Sequence, residues 1–178
     1  MEKSYKFRIY PNKEQETLIQ KTFGCTRFVF NYYLDQRIKQ YKETGKSPTY
    51  FEQSRQLTEL KREFIWLKEV DSTTLQTSLK NIDNAYQNFF RRVKQGKKPG
   101  FPKFKSKKDN HKAYKSNEIH NNIVVFDKYI KLPKLGLVKC SVSKQIEGRI
   151  LNATVSQNPS GKYFVSICCT DVDIKPLE

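Results

Sequence analysis

Residues 3–10, KSYKFRIY, alternate strictly, with Tyr5, Phe7 and Ile9 on one side and Lys6, Arg8 and Tyr10 on the other. That period of two predicts a half-buried strand, which Pro11 stops. Asn12 followed by Gln15 reads as a helix cap with its capping-box partner. The helix would run to about Lys42, with Leu18, Ile19, Phe23, Phe28, Phe30 and Leu34 on its buried side. Gly24 is expected to break or bend it, and two helices are an open alternative. After the turn residues 43–48, a second helix is predicted from Tyr50 to Glu63, with Leu57, Leu60 and Phe64 at helical spacing and Trp66 and Leu67 extending its apolar end. A third has Leu75, Leu79, Ile82, Tyr86, Phe89 and Val93 three and four apart, with Asp71, Ser72 or Thr73 as its cap and Gly96 as its end. Beyond residue 120 the period returns to two. Strands are predicted at 122–126, 129–132, 137–143, 149–156 and 163–170, separated by turns such as Asn158-Pro159-Ser160-Gly161.

The first strand has no partner among the helices, and a lone strand is unstable in water. Its partners must lie beyond residue 120, so the helices form an insertion. The expected fold class is α+β: a small antiparallel, OB-like β-barrel of the first and last strands with an inserted helical bundle. The expected division is 1–11 first strand, 12–95 helical insertion, 96–120 basic connecting segment and 121–178 remainder of the barrel.

Charge adds a partner class. Lys and Arg number 34 against 18 Asp and Glu, a formal charge of +16 on 178 residues. The excess is densest at residues 91–108, RRVKQGKKPGFPKFKSKK, with nine bases, no acid and two aromatics. Like charges so close repel, and a polyanion relieves them; nucleic acid adds counterion release and bases that stack on rings. A solvated basic hinge is the plainer alternative. With no long apolar run and no leader or lipidation signal, a membrane partner and a small-molecule substrate are not expected, and the cytoplasm is the expected location. The four cysteines include no CxxC pair, so they read as reduced thiols and not as a metal site.

Candidate nucleic-acid contacts follow. In the tract they are Arg91, Arg92, Lys97, Lys98, Lys103, Phe104, Lys105, Lys107 and Lys108. Lys over Arg favours phosphate over base edges. Arg27 and Asn31, one helical turn apart, could bind phosphate or a base edge, or could equally satisfy backbone groups. Thr73, Thr74, Gln76, Thr77 and Lys80 decorate the start of the third helix opposite its apolar stripe, where Gln suits adenine and helix N–H groups suit phosphate. Lys6 and Arg8 are expected on RNA backbone.

KFRIYPNKEQ, GCTRFVFNYYL, LTELKREFIWLKEV with LQTSLKNIDNAYQNFFRR, KPGFPKFKSKK, LPKLG and SGKYFVSI occur in that order. Together they resemble the N-terminal half of the TnpB (OrfB-type) proteins of bacterial insertion sequences, which are similar to type V CRISPR effectors. The resemblance covers almost the whole chain. It implies a β-barrel wedge with a helical recognition insertion, a guide RNA from the transposon end, double-stranded target DNA read at a short motif beside the target, and a DNA contact at Tyr50. It places the Mg²⁺-dependent RuvC-like nuclease domain just after SGKYFVSI. With the sequence stopping at Glu178, and Asp171 and Asp173 read as solvated acids, this chain is expected to have no catalytic residues, to need no cofactor and not to cut DNA alone. A DNA-binding accessory protein of transposition with a helix-turn-helix in its first fifty residues and no RNA is the competing reading; Phe28, Val29 and Phe30 make that recognition helix too apolar.

Overall fold

A computed structural model describes residues 1–172. The chain forms two compact units: Met1–Phe23 with the described part of Asn110–Glu178, and Gly24–Asp109.

The first unit is built on a seven-stranded antiparallel sheet. Its strands are β1 (Lys3–Tyr10), β2 (Lys112–Asn117), β3 (Val124–Val125), β4 (Tyr129–Leu132), β5 (Gly136–Ser141), β6 (Arg149–Gln157) and β7 (Tyr163–Thr170). Their order in space is β2-β6-β7-β1-β5-β4-β3. The first strand therefore lies inside the sheet, with Phe7 opposite Val165 on β7 and Ile9 opposite Cys140 on β5. Its partners lie beyond residue 120, as the unpartnered alternation required. Tyr5, Phe7 and Ile9 are buried with Val138, Val155, Val165 and Ile167, and Ile19 and Phe23 join them from the start of the first helix. Each such side chain contributes about 1.5–3 kcal/mol by leaving water.

Two expectations are corrected here. The sheet is open, with β2 and β3 at its edges, so the strands do not close a barrel. And residues 112–117, assigned to the connecting segment, form the edge strand β2, with Tyr114 opposite Val155. Only Tyr114 and Ser116 of β2 are buried, and a six-residue strand with a single large apolar side chain carries little periodic signal. The strand expected at 122–126 shrinks to Val124–Val125. In the turn before β6, Gly148 has φ +81°, and a Cβ there would stand 2.2 Å from the Thr170 carbonyl oxygen; only glycine fits.

Helix α1 (Lys13–Thr44) runs unbroken through Gly24. One glycine costs about 1 kcal/mol in a helix, less than the burial of neighbouring Phe23 and Cys25 returns. Asn12 and Gln15 cap it reciprocally, at 2.9 and 2.8 Å.

The second unit packs the later part of α1 with α2 (Tyr50–Glu63), a 3₁₀ turn (Ile65–Glu69) and α3 (Ser72–Lys94). Thr49 and Glu52 form the capping box of α2, and Asp71 caps α3. Leu57, Leu60, Leu67, Leu75, Leu79 and Ile82 are buried, whereas Trp66 and Val93 are exposed and the apolar stripe of α3 ends near Phe89.

A buried polar network joins the three helices. Arg37 of α1, 5% exposed, donates to Gln53 Oε1 at 2.9 Å and pairs with Asp83 of α3. Fully buried Gln53 donates to the Tyr33 carbonyl at 2.9 Å. Removing one partner of such a pair strands the other charge without a counterion. Asp83→Ala is expected to destabilise the helical unit by about 3 kcal/mol, read as a fall in the urea midpoint, while Asp83→Asn, which keeps an acceptor, should lose less.

Candidate nucleic-acid interface

The tract at 91–108 is anchored to the helices of its own unit. Asn31, partly buried on α1, reads the backbone of Lys105 in both directions: its Nδ2 donates to the Lys105 carbonyl at 2.9 Å, and the Lys105 N–H donates to Asn31 Oδ1 at 2.7 Å. The Lys105 ammonium sits 4.5 Å from the centre of the Phe30 ring, one residue before Asn31. Desolvation there lowers its pKa, an effect Asp109 opposes, even though the residue as a whole is exposed. Pro102 is buried, and Phe101 stands edge-on to Tyr86 and Phe89 of α3 at 5.7 and 5.5 Å. Of the two roles open to Asn31, the structure gives it the backbone one.

The anchoring leaves the charges outward. Lys97, Lys98, Lys103, Phe104, Lys107 and Lys108 are exposed. Arg91, Arg92, Gln95, Lys97 and Lys98 line a shallow recess of about 500 Å³ at the end of α3. Four cations and an amide around one recess suit a phosphate oxygen, and the nearby helix C-terminus favours cations at that end. Arg27 is half-buried on α1, its guanidinium 3.9 Å from where a Cβ on Gly24 would stand.

At the start of α3 the polar residues divide. Thr74 is 1% exposed, and its hydroxyl donates to the Asp71 carbonyl at 2.6 Å, so it faces the core and is withdrawn as a contact. It follows the capping residue by three, and the turn points it inward beside Leu75. The Thr73 hydroxyl donates to the Asp71 carboxylate at 2.5 Å; Thr77 is half-buried. Gln76 accepts at Oε1 from Ser54 at 2.7 Å and from the Tyr50 hydroxyl at 3.4 Å, and the Lys80 ammonium lies 5.2 Å from the centre of the Tyr50 ring. Tyr50, Ser54, Gln76 and Lys80 thus form one polar cluster across α2 and α3. Ser54 was missed in the sequence, although its position four residues after Tyr50 puts both on one helix face. With the acceptor side of Gln76 engaged, its amide hydrogens are the part left to offer a ligand.

Lys6 and Arg8 belong to the other unit, on the solvent side of β1. Lys6 lies 4.8 Å from the Phe164 ring centre and Arg8 4.9 Å from that of Tyr10.

Residues 1–46 match the helix-turn-helix domain family of the OrfB type associated with IS605. In this chain the segment is a strand and one helix, and the turn and second helix of that name do not occur within it. Over 171 residues, 92% of this chain, the sequence is 34% identical to the "Putative RNA-guided DNA endonuclease InsQ" of Escherichia coli K12, covering 39% of it. It is 31% identical to a Streptomyces pristinaespiralis protein named "Putative RNA-guided DNA endonuclease", covering 96% of this chain and 42% of that one. Both matches run nearly the length of the chain. In these matches the chain resembles the TnpB/OrfB-type proteins of insertion sequences. The chain spans about two fifths of the length of these two relatives. It is also 32% identical over 116 residues to the virulence protein VsdF of Salmonella dublin, covering 60% of this chain and 95% of VsdF.

Among the described residues no three His, Cys, Asp or Glu stand together in a way that could hold a metal ion. Asp171 is exposed and pairs with Arg149 at 3.5 Å; Asp173 lies outside the described residues. The four cysteines form no disulfide, and burial pushes the Cys140 thiol up to about 11, so it stays protonated at neutral pH. No helix among the described residues is long and apolar enough to cross a membrane.

Two outcomes follow for the tract. Replacing Lys97, Lys98, Lys103, Lys105, Lys107 and Lys108 by Gln should flatten the slope of log affinity for nucleic acid against log salt by about four to five, as counterion release requires. Asn31→Ala should cost only about 1 kcal/mol, because both bonds face solvent, yet trypsin should cut after Lys103 and Lys105 markedly faster than in the native chain.

Proposed function

We propose that this chain is the nucleic-acid-holding part of an RNA-guided DNA endonuclease: it holds a guide RNA and recognises a short motif beside the target in double-stranded DNA. The observation that carries this reading is the anchored tract. A solvated hinge would have no reason to be bonded in both directions by Asn31, nor to bury Pro102 and set the Phe101 ring edge-on to Tyr86 and Phe89 of α3. A positioned row of cations costs chain entropy and like-charge repulsion, which a polyanion offsets. The names of the relatives, which call them RNA-guided DNA endonucleases, support the same polyanions as partners.

In this reading the tract and the recess at the end of α3 bind phosphates, while Tyr50, Ser54, Gln76 and Lys80 offer the donors suited to base edges. The work of the chain is binding. Cutting, and the Mg²⁺ it uses, belongs to the further length of the relatives, since the carboxylates described here do not converge as two-metal hydrolysis requires. A DNA-binding accessory role without RNA draws support from the helix-turn-helix match, but the single long helix at Lys13–Thr44 offers no second helix to set in a groove.

The two readings differ in what copurifies. The chain, expressed beside its own downstream DNA and isolated at low salt, should carry one discrete structured RNA, and the complex should bind duplex DNA without cleaving it when Mg²⁺ is added. Nucleic-acid-free protein that binds duplex DNA equally well would favour the accessory role.

A further inference from the structure

The solvent face of the sheet carries a set of outward cations, among them Lys115 on β2, Lys6 and Arg8 on β1, Lys139 on β5 and Lys131 on β4. Three aromatic rings interleave with them: Phe164, Tyr10 and Tyr129. No strand position holds an acid; among the described residues the acids of this unit stand in α1, in turns and at strand ends, where Asp171 is already paired with Arg149. A merely solvated face would mix both signs.

The register makes the pattern specific. Tyr10 is opposite Lys139, and Lys139 is opposite Tyr129, so a ring, a cation and a ring form one row across β1, β5 and β4. Both rings are 46% exposed. Their strands are two spacings apart, roughly 9–10 Å. Arg8 occupies the next row, between Ser141 and Phe164. Its Nε is a buried side-chain nitrogen with no hydrogen-bond partner, the one such atom among the described residues. A buried donor without an acceptor is rare in folded proteins. Because the Arg8 guanidinium lies over the Tyr10 ring, a phosphate that draws it aside satisfies Nε and uncovers the ring for a base.

The geometry points to this face as a stacking platform for an unpaired stretch of RNA, with Tyr10 and Tyr129 stacking bases and Arg8, Lys139 and Lys131 holding the phosphates between them. Sheet-borne rings stack bases that a duplex would hide, and neighbouring cations track the backbone. Serine and threonine hydroxyls at the other outward positions, among them Ser141, Ser166 and Thr154, suit the 2′-hydroxyl. The inference rests on the reading that the chain holds RNA, and it names where the single-stranded part lies.

The test uses the 178-residue chain and a short single-stranded RNA containing 2-aminopurine. Binding should quench the probe. Tyr10→Ala with Tyr129→Ala should restore its fluorescence and weaken binding roughly tenfold or more, with the salt slope unchanged because no cation is removed. Tyr10→Phe with Tyr129→Phe should keep both quenching and affinity, which also guards against misfolding. Wild-type affinity in the alanine pair would overturn the platform, as would duplex RNA or single-stranded DNA of the same sequence binding as tightly with the same dependence on the two tyrosines. Native protein with no salt-dependent affinity for any nucleic acid would defeat the broader reading instead. Tight binding indifferent to Tyr10 and Tyr129 defeats only this one.

Discussion

Everything in this chain follows from where its first strand pairs. β1 is not at an edge of the sheet; it lies between β5 and β7, and its partners are 129 to 166 residues later. Tyr5, Phe7 and Ile9 fill the middle of the core, so the sheet cannot assemble its apolar face without them. Whatever lies between must leave the sheet and return. The helices and the basic tract occupy that excursion, in a unit with a core of its own.

That second unit is held differently. Its apolar stripe is short, since α3 has only Leu75, Leu79 and Ile82 among its large side chains fully buried. Arg37, Gln53 and Asp83 tie three helices through directional bonds, and Ser78 adds another to the Thr26 carbonyl at 2.6 Å. Such bonds add little net stability but penalise any packing that would leave them unmet. The same economy is applied to the tract. Asn31 satisfies a donor and an acceptor of one backbone residue, and in doing so it fixes where a run of repelling charges may point.

The two units would meet a polyanion with different chemistry. The helical unit offers flexible lysines beside a recess and a compact cluster of hydroxyl and amide groups, suited to phosphates and base edges. The sheet offers rings in register with cations, suited to base faces. Two relatives of the chain are named RNA-guided DNA endonucleases, and both kinds of surface suit the role proposed above.

Much of this was legible in the order of residues. Strict alternation placed β1, helical spacing placed α2 and α3 with a cap signal for α3, and the lack of a helical partner for β1 sent its pairing past residue 120. These are local signals, set by the two periods of backbone geometry and by short side chains that bond the backbone next to them. The expectation of a polyanionic partner was equally open, because net charge needs no fold to be counted. What the sequence could not decide depends on distance in space. Thr74 and Gln76 look alike in a polar run, and only the packing of α3 turns one to the core and sets the other against Ser54. Asn31 could have faced a ligand until the chain folded Lys105 onto it, 74 residues later. Tyr10, Lys139 and Tyr129 are unremarkable apart, and register alone makes them a row. Barrel closure failed for the same reason: strand number is written in the sequence, but whether the edges meet is decided by how far the folded sheet curls.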